Sequence, residues 1–365
     1  MMDGIAGRLA ERIRHGGPVS VAAFMTEAMF DPREGYYATR NPIGAGEDFI
    51  TAPSVSQMFG ELMGLWCAQV WVDMGQPAPF QLVELGPGTG QMMSDIVRAG
   101  RAVPGFLDAA NIHLIEASAA LKMVQGRTLT PMGVEIGWLN RIEDIPPGPA
   151  IILGNEFLDC LPVRQAVKQN GQWHERLIGL HEAEDAFRFV VGPILGAETD
   201  LVPERLRDAP DGTLVELRPG DQQVVDVLAQ RFAEHPGHAL FVDYGPVTSE
   251  PGDTFQAIRR HQKCDPLDAP GTADLTARVD FEQLGVFAKA AGLDVAGPAT
   301  QADWLNALGL EVRAAALIRQ TPDQKSRIAR QVIRLSDPEE MGALFKVMSL
   351  STPGLPKPPG FADHG

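Results

Sequence analysis

The chain has 365 residues, of which 31 are basic and 47 acidic, for a formal charge of −16, and 44% are hydrophobic with no apolar run long enough to cross a bilayer. This describes a globular protein with a sizeable core and no membrane span, and without a lysine or arginine cluster nucleic acid is excluded as the main partner. Cys67, Cys160 and Cys264 are odd in number and lie in no metal-ligand spacing, which excludes a disulfide framework and structural zinc and indicates a reducing compartment. All three read as small buried apolar residues. The arginine-bearing N-terminus also holds Asp3 and Glu11, unlike a secretory or transit peptide, so a bacterial cytoplasm is the expected location.

In chain order, apolar residues at 5, 6, 9, 10 and 13 predict a first helix, and Ser20 caps a second over Val21 to Met29. Gly35-Tyr36-Tyr37 and a glycine-broken loop to Gly46 follow, then the polar stretch Glu47 to Gln57. Within it Asp48, Thr51, Ser56 and Gln57 serve either as cap and turn residues or as ligand contacts. A Leu-, Met- and Trp-rich helix, Met58 to Met74, should lie against a sheet.

Phe80 to Leu85 reads as a buried strand that stops in Gly86, Pro87, Gly88, Thr89 and Gly90 before a helix from Gln91 to Arg98. Glycines there let the backbone turn sharply and approach a ligand, with the helix aiming unpaired N–H groups at the same place. The third glycine falls one residue short of the dinucleotide fingerprint, and Glu84 would repel a pyrophosphate. Both departures favour S-adenosylmethionine, which carries an ammonium and a sulfonium, over a nicotinamide cofactor. Ile112 to Glu116 is a second strand, and Glu116 at its tip is suited to the two ribose hydroxyls of an adenosyl ligand, or alternatively caps the helix Ser118 to Val124. After a third strand near Val134 to Ile136, Trp138, Leu139 and Asn140 would fall over the adenine. A packed Trp138 is the competing reading.

Ala150 to Leu153, the fourth strand, runs into Gly154-Asn155-Glu156-Phe157-Leu158-Asp159-Cys160, so Asn155 and Glu156 should point at the reacting group. If a helical turn starts there, Glu156 and Asp159 share a face and could grip one guanidinium. Alternating runs over 163–191, with Asn170-Gly171 between two of them, predict an antiparallel insertion, and an amphipathic helix over Asp221 to Glu234 follows. His238 to Tyr244 is a fifth core strand. Gly271 to Thr276 reads as a polar loop whose hydroxyls and Asp274 would close over substrate, and a helix to Ala291 comes after it. Three more helices between Ala302 and Arg334 precede a last strand, Phe345 to Leu350. The proline-rich tail from Pro353 is expected to be extended or disordered. These boundaries divide the chain into an N-terminal helical region 1–78 packing on the core, a core of 79–162 and 236–351, an insertion 163–235 and a tail 352–365.

With GYY, DFITAPSVSQMFGE, LVELGPGTG, NEFLDCLPV, DYG and GTADLTARVDF standing in this order, the sequence resembles the MidA-like family, bacterial relatives of a mitochondrial complex I assembly methyltransferase, over about Gly17 to Leu350. The resemblance implies an α/β class I S-adenosylmethionine-dependent methyltransferase fold, Rossmann-like, with a seven-stranded sheet whose last strand is antiparallel, and a β-rich insertion. It also implies methylation of arginine in a partner protein, with a respiratory complex I subunit or assembly-related protein as the candidate, and a homodimer is a further expectation. Ser54 stands where the family usually has Glu and Thr89 where it usually has Arg. Cofactor contacts are then expected from Glu84, Gly86, Gly88, Thr89, Gly90, Glu116, Leu139, Asn155, Thr51 and Gln57, and Glu156 with Asp159 would hold the guanidinium. A non-catalytic assembly factor using the same cleft and a small-molecule methyltransferase are the alternatives.

Overall fold

The computed structural model describes residues 3–39, 51–181, 186–259 and 262–362. Asp48 and the rest of 40–50 lie outside the described residues, as do 182–185 between two insertion strands. Seven core strands are numbered in chain order: β1 Phe80–Leu85, β2 Ala110–Ile115, β3 Ile136–Leu139, β4 Ala150–Asn155, β5 Gly237–Tyr244, β6 Asp294–Thr300 and β7 Phe345–Ser351. They form one sheet in the order β6-β7-β5-β4-β1-β2-β3, parallel except that β7 runs antiparallel to both neighbours. This is the class I methyltransferase sheet, and its order reverses between β1 and β4, where an open α/β sheet leaves a crevice at the carboxyl ends of its strands.

Every residue of β1 is buried because helices cover both faces. Leu82 joins a cluster with helices Gln57–Asp73, Gln91–Gly100 and Leu310–Gln320, while Val83 and Leu85 join one with Pro219–Glu234 and Phe281–Ala290. At about 25 cal/mol per Å² of apolar surface, these two layers supply most of the driving force for folding.

The insertion is a second sheet. Arg164–Gln169 and Gln172–Leu180 pair antiparallel through a two-residue turn in which Asn170 (φ 50°) and Gly171 (φ 76°) are both left-handed, the conformation Asn-Gly favours. Leu214–Leu217 and Phe187–Ile194 add strands, and so does Val19–Ser20 from the N-terminus. The first two helices, α1 Gly4–Gly16 and α2 Val21–Phe30, bury Leu9, Phe24 and Met25 against Ile178, Ala257 and Leu275. The expected helical region 1–78 is therefore shared between layers: α1 and α2 pack with the insertion, whereas Gln57–Asp73 packs on the core sheet.

Three local features go beyond the sequence reading, and one of them, the strand within 271–276, corrects it. Asp294–Thr300 is an edge strand, hidden in the sequence by Gly297-Pro298, which sit at an irregularity of register between Ala296 and Ala299 where proline is tolerated. The stretch expected as a polar loop holds the buried strand Asp274–Thr276, paired with Gln256–Arg259 in a small three-stranded sheet. The tail is docked through residue 362: Trp66 Nε1 donates to the Pro359 carbonyl at 3.1 Å, and Phe361 packs on the core. No helix among the described residues is long and apolar enough to cross a membrane.

Candidate functional site

A cavity of about 520 Å³ opens at the carboxyl ends of β1, β2 and β4. Gly86, Gly88, Glu116, Ser118 and Asn140 line one side. Glu156, Phe157 and Cys160 line the other, with Phe30 and Tyr37 brought in by the N-terminal segment.

The glycine loop holds Gly86, Gly88 and Gly90 at φ 57°, 54° and 77°, in the left-handed region where a Cβ is strained. Gly90 is also demanded by packing, since a Cβ there would lie 3.4 Å from the Gln125 Cα. It does not line the cavity, and neither does the half-buried Thr89.

At the end of β2, Glu116 is buried yet lines the cavity. Its Oε1 accepts from the Ser118 N–H at 2.8 Å and its Oε2 from Gln125 Nε2 at 3.0 Å. Burial raises its pKa, opposed by those two donors. Ser118 itself caps Ala119–Leu129, so Glu116 steadies the helix entry while facing the cavity. Gln125, fully buried, was missed in the sequence because it stands mid-helix in a neutral pattern. Its Nε2 also donates to the Gly88 carbonyl at 2.9 Å and its Oε1 accepts from Trp138 Nε1 at 2.9 Å, tying glycine loop, acid and β3 together. Trp138, exposed, is tethered by this bond and does not line the cavity. Asn140 lines the cavity, whereas Leu139 uses its carbonyl to accept from the Glu116 N–H. Because Glu116 has two buried donors to satisfy, Glu116→Ala should lower cofactor affinity at least about tenfold and also cost about 1–3 kcal/mol of stability without ligand. Calorimetry alongside thermal melting checks both.

Other expected contacts stand apart from the cavity. Glu84 is buried on the Leu82 face of β1, with Oε2 lacking a hydrogen-bond partner among the described residues, and burial pushes its pKa up to about 8. Thr51 precedes the short helix Ala52–Val55 and its hydroxyl meets Ser54 at 3.2 Å, while Gln57 is exposed and reaches Glu61. Asn155 lies behind Glu156, donating to its Oε1 at 3.1 Å.

Glu156 follows β4 with φ 51°, a left-handed conformation that glutamate adopts only when its surroundings impose it. Its N–H donates to the Val242 carbonyl at 2.9 Å, and its carboxylate takes a hydrogen bond from the Ala52 backbone. Loss of hydration, then the charge of Asp159, pushes its pKa up to about 8. The helical turn expected to align Glu156 with Asp159 does not form: the segment leaves the strand in bends and turns. Asp159 is buried outside the cavity lining, beside the Tyr244 hydroxyl. Burial raises its pKa to about 6, with the Arg218 guanidinium opposing.

Two residues outside the expected set of contacts, Asp243 of the DYG motif and Arg218, build this turn. Asp243 Oδ2 accepts from the N–H groups of Leu158 and Asp159 at 3.0 and 3.1 Å. Arg218, from the insertion, donates to the Leu158 carbonyl at 2.6 Å while paired with Asp221. Asp274 accepts from the Tyr37 hydroxyl at 3.2 Å. Four acids, Glu156, Asp159, Asp243 and Asp274, are thus gathered at one end of the cavity, close enough that Asp159 and Asp274 both raise the Glu156 pKa and Glu156 raises that of Asp243. Contrary to expectation, Cys160 and Cys264 are only half-buried. Cys160 lines the cavity, with its thiol held protonated by burial and neighbouring acids.

The glycine backbone at positive φ, an acid at the β2 tip and an apolar middle fit an adenosyl group with an amino-acid end. Residues 62–299 match the family model for S-adenosyl-L-methionine-dependent methyltransferases. The chain is 38% identical to the zebrafish (Danio rerio) mitochondrial protein arginine methyltransferase NDUFAF7 and 35% identical to the human protein, covering 95% and 94% of this chain and 86% and 82% of theirs. It is also similar to a crystal structure from Burkholderia thailandensis bound to S-adenosyl-homocysteine, with TM-score 0.85 and 27% identity over 99% of this chain and 95% of that one. With the sheet order, the glycine loop and these similarities agreeing, the chain belongs to the MidA-like family of S-adenosylmethionine-dependent methyltransferases.

Proposed function

We propose that the chain methylates an arginine guanidinium of a partner protein, with Glu156 as the carboxylate that holds it. The observation carrying this reading is a half-buried carboxylate whose pKa is pushed up to about 8, on the cavity wall shared with the glycine loop and beside three further buried acids. Such a site is costly without a cation and is stabilised when one enters. A planar guanidinium can supply charge and several N–H donors together, which a neutral acceptor cannot. The naming of the NDUFAF7 relatives as arginine methyltransferases supports the same reading.

S-adenosylmethionine supplies a methyl group already activated on a sulfonium. The protein's task is then alignment and exclusion of water, an effect worth on the order of 7–11 kcal/mol. Glu116 holds the ribose, and Gly86 and Gly88 admit the ligand to the loop. Glu156 orients the guanidinium and draws its positive charge toward one nitrogen, so that another keeps the lone pair that attacks. Asp159 stays behind it as a second negative charge, placed by Arg218 and the Asp243-held turn. Incubating the protein with methyl-labelled cofactor and a lysate of a strain lacking it should label a protein at arginine, read by mass spectrometry. Label on lysine, a carboxylate or a small metabolite would overturn the arginine assignment while leaving methyl transfer intact.

A further inference from the structure

Phe30, at the end of α2, and Tyr37, packed on the cluster that α1 and α2 share with the insertion, both line the cavity of the methyltransferase core. Phe30 ends α2 with 40% of its surface exposed, so part of its ring is open to the cavity it lines. Its ring is stacked on Tyr37, centroids 5.9 Å apart and planes 26° from parallel. Two anchors fix the pair. The Tyr37 hydroxyl donates to Asp274 Oδ1 at 3.2 Å, and α2 is held by the Leu275 N–H on Met29 Sδ at 3.3 Å. Tyr37 also lies close enough to Asp274 and Asp159 to feel their charge, which puts the aromatic pair beside the acidic end of the cavity. Among the described residues no lysine or arginine lies over either ring, although Arg176 covers Phe189 at 3.5 Å and Lys168 approaches Trp173 at 5.5 Å. Among the described residues, then, cations cover aromatic faces elsewhere and none covers these two beside the acids.

Building on the guanidinium reading above, we infer that Phe30 and Tyr37 form the aromatic wall of the methyl-acceptor site and select a flat, delocalised cation over a neutral or rounded one. An aromatic face attracts a cation through its quadrupole, and a planar guanidinium can lie along the ring while its edge N–H groups reach a carboxylate. Carboxylates alone accept lysine-type ammonium as readily. The ring adds the discrimination, and the exposed edge of Phe30 lets a side chain enter from a large partner.

The test uses the full chain saturated with S-adenosyl-homocysteine and titrated with ethylguanidinium, ethylammonium and the neutral propylurea. Wild type should bind ethylguanidinium more tightly than ethylammonium and propylurea not measurably. Phe30→Leu, which keeps an apolar side chain, should weaken ethylguanidinium by roughly five- to tenfold, the loss of one cation–π contact, and erase the preference over ethylammonium. Saturation with S-adenosyl-homocysteine is verified for each variant, so that the change in ethylguanidinium affinity reports the acceptor site. Tyr37→Phe keeps the ring and should retain most of the preference. Ethylguanidinium binding that depends on Glu156 but is unaffected by Phe30→Leu would overturn the aromatic wall and leave the guanidinium reading standing. No ethylguanidinium binding by wild type would overturn both.

Discussion

Gly88→Val is expected to abolish S-adenosylmethionine binding in a chain that still folds. Gly88 sits at φ 54°, is buried, and lines the cavity. A β-branched residue held there costs about 1–3 kcal/mol of backbone strain. Its side chain would also stand where the ligand must approach, and a shifted peptide would break the Gly88 carbonyl from Gln125 Nε2. Together these should lower affinity by roughly a hundredfold or more, with titration calorimetry showing no measurable heat. Gly88→Ala should fall between the two, and NADH should not compete in the wild type. Wild-type affinity in a folded Gly88→Val protein would remove the loop from the binding site.

The second large effect is on transfer. Glu156→Gln keeps the shape of the side chain and removes its charge, so methyl transfer should fall roughly a hundredfold or more, as for loss of a strong electrostatic stabiliser. Affinity for S-adenosyl-homocysteine should stay nearly intact, because the change leaves the glycine loop and Glu116 as they are and keeps the shape of the side chain. The raised pKa sets the pH dependence. The folded carboxyl holds its proton to about pH 8, against 4.5 for an ordinary glutamate. Its contribution to the stability of the ligand-free protein is therefore fully present below the unfolded value and is lost as pH rises toward about 8. Ligand-free melting temperature should fall across that window, less steeply in Glu156→Gln. Transfer should rise with pH over the same range at low acceptor concentration, since the ionised form holds the cation, and full activity in Glu156→Gln would remove Glu156 from this role.

The chain carries its fold openly where a residue's neighbours in sequence are also its neighbours in space. The β1 run, the glycine stop and the following helix are of that kind. So is the Asn170-Gly171 turn, whose left-handed φ values follow from residue type alone. Glu116 and Glu156 were legible for a related reason: an acid at the carboxyl end of a parallel strand can only face the crevice or the turn beside it.

Only the tertiary structure decided what depends on distant partners. Edge strand β6 hides its period behind a glycine and a proline that an edge tolerates, and Asp274–Thr276 looks polar enough for a loop while its hydrogen bonds go to other buried groups. Gln125, Asp243 and Arg218 take on their roles only when the chain brings Gln125 to Gly88 and Glu116, 37 and 9 residues away, and Asp243 and Arg218 to Leu158, 85 and 60 residues away. The same holds for the separation of the two acids after β4. Periodicity offered Glu156 and Asp159 a common helical face, but the Val242 carbonyl on Glu156 N–H and the Asp243 carboxylate on Asp159 N–H hold the backbone in a turn instead. Hydrogen bonds from β5 override the local preference, leaving Glu156 on the cavity wall and Asp159 behind it.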